Sequence, residues 1–122
     1  MLYNWIKGNT SYWWLVQKAA IESWLHDRGV TGQAHFREQV LFLRLYDLIE
    51  EGPVILQTEG MAGPKGHIIL AVGYEDKNIL CHDSFGDART EYKSHSGIYV
   101  VYPESWLKKY TGDTVNCMYW RA

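Results

Sequence analysis

The chain lacks any apolar run of the roughly 18 residues that a bilayer-spanning helix needs, so a transmembrane role is not expected. It also lacks a surplus of one charge. Twelve Lys and Arg face fourteen Asp and Glu, for a net charge of −2, and no polybasic run stands out. The electrostatic footprint of a nucleic-acid binder is therefore missing. The opening MLYNWIKGNT has one lysine and no apolar core, so it does not read as a secretory signal. Compartment and oligomeric state stay open. Cysteines number only two, Cys81 and Cys117, too few for a disulfide framework and more often reduced core thiols in a chain of this size. No internal repeat or low-complexity linker divides the 122 residues, which suffice for one domain spanning 1–122 with one buried core.

Aromatic residues, by contrast, are plentiful. Six Trp and nine Tyr imply a stacked interior or an exposed patch that binds something. Residues 10–29, TSYWWLVQKAAIESWLHDRG, predict a first helix with Thr10 or Ser11 as N-cap and Gly29 just beyond its end. Trp13, Val16, Ala20, Ile21 and Trp24 share one stripe, with Lys18, Glu22 and His26 opposite and Trp14 at the edge. Residues 35–51, HFREQVLFLRLYDLIEE, predict a second helix with Leu41, Phe42, Leu45, Leu48 and Ile49 on its apolar face, stopped by Gly52-Pro53.

From Pro53 the period shortens. Strands are expected at 53–58, 67–74, 78–83, 97–102 and 114–120, with a loop over EGMAGPKG and a short helix at 103–110 opened by Pro103. Two N-terminal helices followed by a mostly antiparallel sheet is an α+β pattern.

Within this pattern, GHIILAVGYEDKNILCHDSFG (66–86) reads as a hairpin with His67 at one end and Asp83 at the other. A three-residue loop (Glu75, Asp76, Lys77) would set Ile69 opposite Asp83 and bring His67 onto the same face, one diagonal step away. A two-residue loop (Asp76, Lys77) would put the pair on opposite faces, and the sequence leaves both open. A carboxylate that holds one imidazole nitrogen fixes the tautomer and leaves the other nitrogen as a base. Two polar residues can also simply mark where strands surface.

The same stretch resembles the His–Asn/Asp hairpin of the papain-like cysteine peptidase clan. It is most similar to the C39-like peptidase family of bacteria and phages, which reads Gly-His, an apolar run ending Val-Gly-Tyr, then Asn/His-Asp-Pro-Tyr-Gly. LIEEGPVIL resembles the helix, turn and strand before that hairpin, and SGIYVVYPESWLKKY the strand and helix after it. The likeness spans about residues 35–110. It implies a papain-like α+β fold, His67 as base, Asp83 as its orienting partner, a peptide or protein as substrate or partner, and no cofactor or metal.

Two departures stand against the likeness. Ser84 occupies the usual proline position, and no cysteine precedes Cys81. The family sets its nucleophile at the start of a helix before the histidine, where the helix dipole lowers the thiol pKa. Either Tyr12 occupies that position, or the Cys-bearing segment lies upstream of Met1 and 10–29 matches a later helix of the family. The implied function is a cysteine peptidase or amidase-type domain whose nucleophile comes from another segment. The alternative is an inactive papain-like fold, a pseudoenzyme that binds a peptide or protein.

Other residues invite weaker readings. Cys81 shares a strand face with Asp83 but has no helix dipole or oxyanion donors, so it reads as core. Ser11 reads as a helix cap, not a nucleophile. His82, Asp83, Asp87 and His95 are possible zinc ligands whose spacing matches no closed site.

Overall fold

The computed structural model describes residues 13–121, with the side chains of 13–18, 20, 64 and 65 outside that description. The expected caps Thr10 and Ser11, the Tyr12 position, and the side chains of Trp13, Trp14, Val16, Lys18 and Ala20 therefore lie outside the described residues. The architecture is α+β. Helices α1 (Trp13–His26), α2 (Phe42–Glu51) and α3 (Glu104–Thr111) accompany strands β1 (Gln33–Leu41), β2 (Val54–Gly60), β3 (Gly63–Glu75), β4 (Asn78–His82), β5 (Val100–Pro103) and β6 (Thr114–Arg121). The strands form one sheet in the order β1-β6-β2-β3-β4-β5, and the β2–β3, β3–β4 and β4–β5 pairs are antiparallel. The helices are not all N-terminal, since α3 follows β5.

Among the described residues two compact units divide the chain, one from 13–36 and 118–121, the other from 37–117. In the first, α1 ends as its composition requires. Gly29 takes a left-handed φ of 76°, and the Val30 N–H reaches back to the Leu25 carbonyl at 3.0 Å. The Arg28 guanidinium lies 3.8 Å over the Trp24 ring. Glu22, expected on the polar side, accepts the Ala34 N–H at 2.9 Å.

The expected helix over 35–51 is half strand. Residues 33–41 form β1, and only Phe42–Glu51 coil into α2. Gln39 breaks the helical path: its φ is 53°, and its N–H goes to the Asn116 side chain on β6 at 2.9 Å. A partner strand overrides the helix propensity of Glu38-Gln39-Val40-Leu41. The remaining stripe holds, for Phe42, Leu45, Leu48 and Ile49 are buried, whereas Leu41 is 61% exposed.

The expected loop over 59–66 shrinks to a turn. β2 runs to Gly60, β3 starts at Gly63, and Met61 between them is buried. Proline is tolerated there because residues 64 and 65 fall in a register shift, where no ladder donor is required of them.

Helix α2 packs on β3, while α3 packs on β2 and β5. Pro103 caps α3 instead of forming its first turn; Glu104 starts the helix and Lys108 and Lys109 end it, each charge complementing the macrodipole. The buried face of the sheet carries Val54, Leu56, Ile69, Ala71, Ile79, Cys81, Val100, Tyr102, Val115 and Cys117. Only three polar side chains are buried among the described residues: Thr58, His67 and Asp83.

Candidate functional site

The hairpin makes the site, and of the two loops the sequence left open it uses the shorter. Glu75 pairs with Asn78, so the loop is the two-residue Asp76-Lys77, with Asp76 at φ 53°. That loop alone would send His67 and Asp83 to opposite faces. A β-bulge reverses the outcome: Ala71 pairs with Cys81 and Gly73 with Leu80, leaving Val72 unopposed. One extra residue on β3 flips the alternation beyond it. Leu70 then pairs with His82, so the next step along the ladder sets Ile69 opposite Asp83.

The two residues meet. His67 Nε2 lies 2.7 Å from Asp83 Oδ1, and their side chains are 7% and 0% exposed. A buried carboxylate is costly unless its lone pairs are filled, and here they are. Oδ1 also accepts the Phe85 N–H at 3.0 Å, while Oδ2 accepts the hydroxyls of Tyr92 at 2.8 Å and Tyr102 at 2.7 Å. Burial works to raise the Asp83 pKa. The donors from His67, Tyr102, the Phe85 amide and Tyr92 outweigh it, so the group is held below its ordinary value. Both phenols move the other way, raised first by burial and then by Asp83, which keeps them protonated as donors.

Since an ionised carboxylate only accepts, the imidazole proton sits on Nε2. Nδ1 makes no hydrogen bond among the described residues. The Asp83-Ser84-Phe85 turn explains the rest of the local order. The carboxylate bonds the amide two residues on, a turn habit of aspartate. The same turn lays the Phe85 ring on the imidazole, with centroids 4.5 Å apart and planes 15° apart. Phe85 is 55% exposed, so its outer face is open while its inner face keeps water from the His67–Asp83 bond. Tyr92 approaches both rings edge-on, at 6.3 Å from His67 and 6.0 Å from Phe85.

Backbone contacts anchor the segment from Asp83 to Gly97. The Asp83 N–H bonds the Gly97 carbonyl at 2.8 Å, and a β-carbon on Gly97 would fall 1.7 Å from the Asp83 carbonyl oxygen. Only glycine fits there. On the neighbouring strand, Thr58 pairs with His67 and donates its hydroxyl to the His67 carbonyl at 2.8 Å, which commits that hydroxyl to structure.

Neither thiol joins the pair. Cys81 is fully buried and its sulfur approaches the Ile79 carbonyl at 3.8 Å. Burial, then the Asp83 charge, pushes this thiol well above its usual range, and burial pushes Cys117 up to about 11. The four possible zinc ligands do not converge: Asp83 serves His67, Asp87 caps the 3₁₀ turn at Ala88–Thr90, His82 Nδ1 accepts the Tyr99 N–H at 3.2 Å, and His95 is exposed. Among the described residues, no group of three or more His, Cys, Asp or Glu is arranged to hold a metal ion.

Sequence reasoning missed Phe85, Tyr92 and Tyr102. The Asp-x-Phe turn and the alternation of VVY in β5 were signals for two of them, while nothing marks Tyr92. Comparison with known proteins adds no relative: no family model, no curated protein and no solved structure matches the chain.

Proposed function

We propose that this chain carries the base-and-orienter part of a C39-like, papain-fold cysteine peptidase or amidase. The observation that carries the reading is the 2.7 Å bond from His67 Nε2 to Asp83, which leaves Nδ1 unengaged among the described residues. An imidazole so held can take a proton at Nδ1 and return it. In such a reaction Nδ1 accepts the thiol proton as the sulfur adds to a carbonyl carbon, then gives it to the leaving amine as the C–N bond breaks. The hairpin in an α+β frame, with helices packed on the sheet, supports the papain-like reading of the fold. The missing part is the thiol. Cys81 and Cys117 are both buried in the sheet, so the nucleophile comes from a segment outside this chain, at a helix start that lowers its pKa.

A second reading is a pseudoenzyme that binds a peptide or protein partner. The burial of both thiols favours it, together with the half-exposed Phe85 ring beside the imidazole.

Labelling with a thiol-directed peptidyl chloromethyl ketone separates the two. The 122-residue chain should remain unlabelled, and the same chain extended by upstream coding sequence should label in a manner that depends on His67 and Asp83. An extended chain that stays unlabelled, or labels equally as His67→Ala, dismisses the peptidase and leaves the binding module.

A further inference from the structure

We infer that Tyr92 is a positioning residue for the His67–Asp83 pair, its hydroxyl locking the carboxylate so that the imidazole keeps one tautomer and one orientation. The inference rests on the proposed role of that pair as a base, but its geometry stands on its own.

The first observation is the contact. Tyr92 donates its single hydroxyl proton to Asp83 Oδ2 at 2.8 Å, on the oxygen that His67 does not use. With the Phe85 amide on Oδ1 and Tyr102 also on Oδ2, a donor placed on each oxygen stops the carboxylate from rotating about its bond to the chain. Held in this way, Oδ1 stays in line with His67 Nε2, and the imidazole plane follows.

The second observation is where the tyrosine comes from. Glu91 and Tyr92 both adopt left-handed backbone conformations, with φ of 57° and 60°. Two successive non-glycine residues there are unusual and costly, and such cost is retained where surrounding structure enforces it. The enforcement is visible. The Tyr92 N–H reaches the Asp87 carbonyl at 3.0 Å, the Glu91 N–H reaches Ala88 at 3.0 Å, and Asp87 N–H bonds Ser94 at 2.9 Å. Gly86 has φ +113°, and a β-carbon there would come within 2.3 Å of the Ser94 carbonyl, so the loop closes tightly on its own base. The strained turn aims one half-buried aromatic back at the carboxylate.

Tyr102 differs in kind. It is fully buried and its oxygen also accepts the Ala88 N–H at 2.9 Å, so it serves the core as well as Asp83. The Tyr92 hydroxyl also meets that of Tyr102, itself a donor to Asp83, and takes no backbone amide among the contacts described.

Side-chain NMR of the 122-residue chain tests this without any nucleophile, through the ring nitrogens of His67 and the carboxyl carbon of Asp83. The unaltered chain should show the Nε2–H tautomer alone. Tyr92→Phe should shift the Asp83 titration up by about one unit, a tenfold weaker acid, and should speed solvent exchange of the His67 ring proton by about tenfold. Glu91→Gly relieves the backbone strain without removing the hydroxyl. It should raise the melting temperature and leave both signals as they are. If Tyr92→Phe leaves the carboxyl midpoint and ring exchange unchanged, the hydroxyl only braces the loop and the inference fails. It also fails if Glu91→Gly alters them as much as Tyr92→Phe. An unlabelled extended chain with an intact Tyr92→Phe effect would sink the peptidase reading alone; labelling with no such effect would sink this inference alone.

Discussion

Tyr102 and Asp83 stand 19 residues apart in the chain, yet the phenol lies 2.7 Å from the carboxylate and simultaneously receives the Ala88 N–H at 2.9 Å. One oxygen thus joins β5, the end of β4 and the loop that follows it. Tyr102→Phe would leave the Ala88 amide buried without its acceptor and take one donor from Asp83. A loss of about 1–3 kcal/mol is expected, measured from urea unfolding midpoints. Stability within a few tenths of the unaltered chain would mean that water or a shifted loop replaces the hydroxyl.

Acid should weaken the fold through Asp83. Its folded pKa lies below the value of about 3.9 for an unfolded aspartate. Between those two values the unfolded chain binds more protons, so stability rises with pH. The contribution is complete above about pH 4 and disappears as pH falls through the folded value. Asp83→Asn should flatten this acid limb in a series of melts from pH 2 to 7. An unchanged slope would assign the acid sensitivity to other carboxylates.

Neither cysteine should react in the folded chain. With its pKa near 11, Cys117 presents only about a thousandth of its sulfur as thiolate at pH 8, before burial is counted. Ellman's reagent should find no fast thiol until denaturant is added, and iodoacetamide should leave any hydrolytic activity intact. Inhibition by iodoacetamide would make Cys81 or Cys117 a working group.

Gly97 is the least replaceable residue of the loop. In Gly97→Ala the methyl would meet the Asp83 carbonyl oxygen at 1.7 Å, a collision that only backbone movement relieves. That movement breaks the Asp83–Gly97 hydrogen bond and pulls the Phe85 turn from the imidazole. More than about 3 kcal/mol of stability should go, along with the Phe85 ring-current shift on His67. A variant that keeps both would show a more pliable loop.

The hairpin was legible because its apolar runs, its charged turn and its two polar ends sit in one short segment. The pairing of His67 with Asp83 followed from the cost of an unpaired carboxylate. Its loop length stayed open, since nothing in Tyr74-Glu75-Asp76-Lys77-Asn78 decides between two and three loop residues. Gly73 was an available clue, because an isolated glycine within a strand often accompanies a bulge. Residues 35–41 went to helix in the sequence reading because their apolar period runs smoothly into that of α2. Their strand state depends on β6, some 80 positions later, beyond any local window. Tyr92 was invisible for a related reason: a left-handed tyrosine on an irregular loop leaves no periodic trace.

The bulge at Val72 also gives the hairpin slack in its residue count. Because Val72 faces no partner on β4, its deletion would join Ala71 and Gly73 as consecutive rungs without moving any other pair. Removing a residue elsewhere between His67 and Gly73 can likewise be absorbed by drawing Val72 into the ladder, at the expense of seating a valine where Ala71 now packs. A first deletion in this segment therefore keeps the imidazole turned toward its carboxylate, and a second turns it away. The spare residue is a one-use tolerance against loss of length, held in the strand that can least accept a change of face.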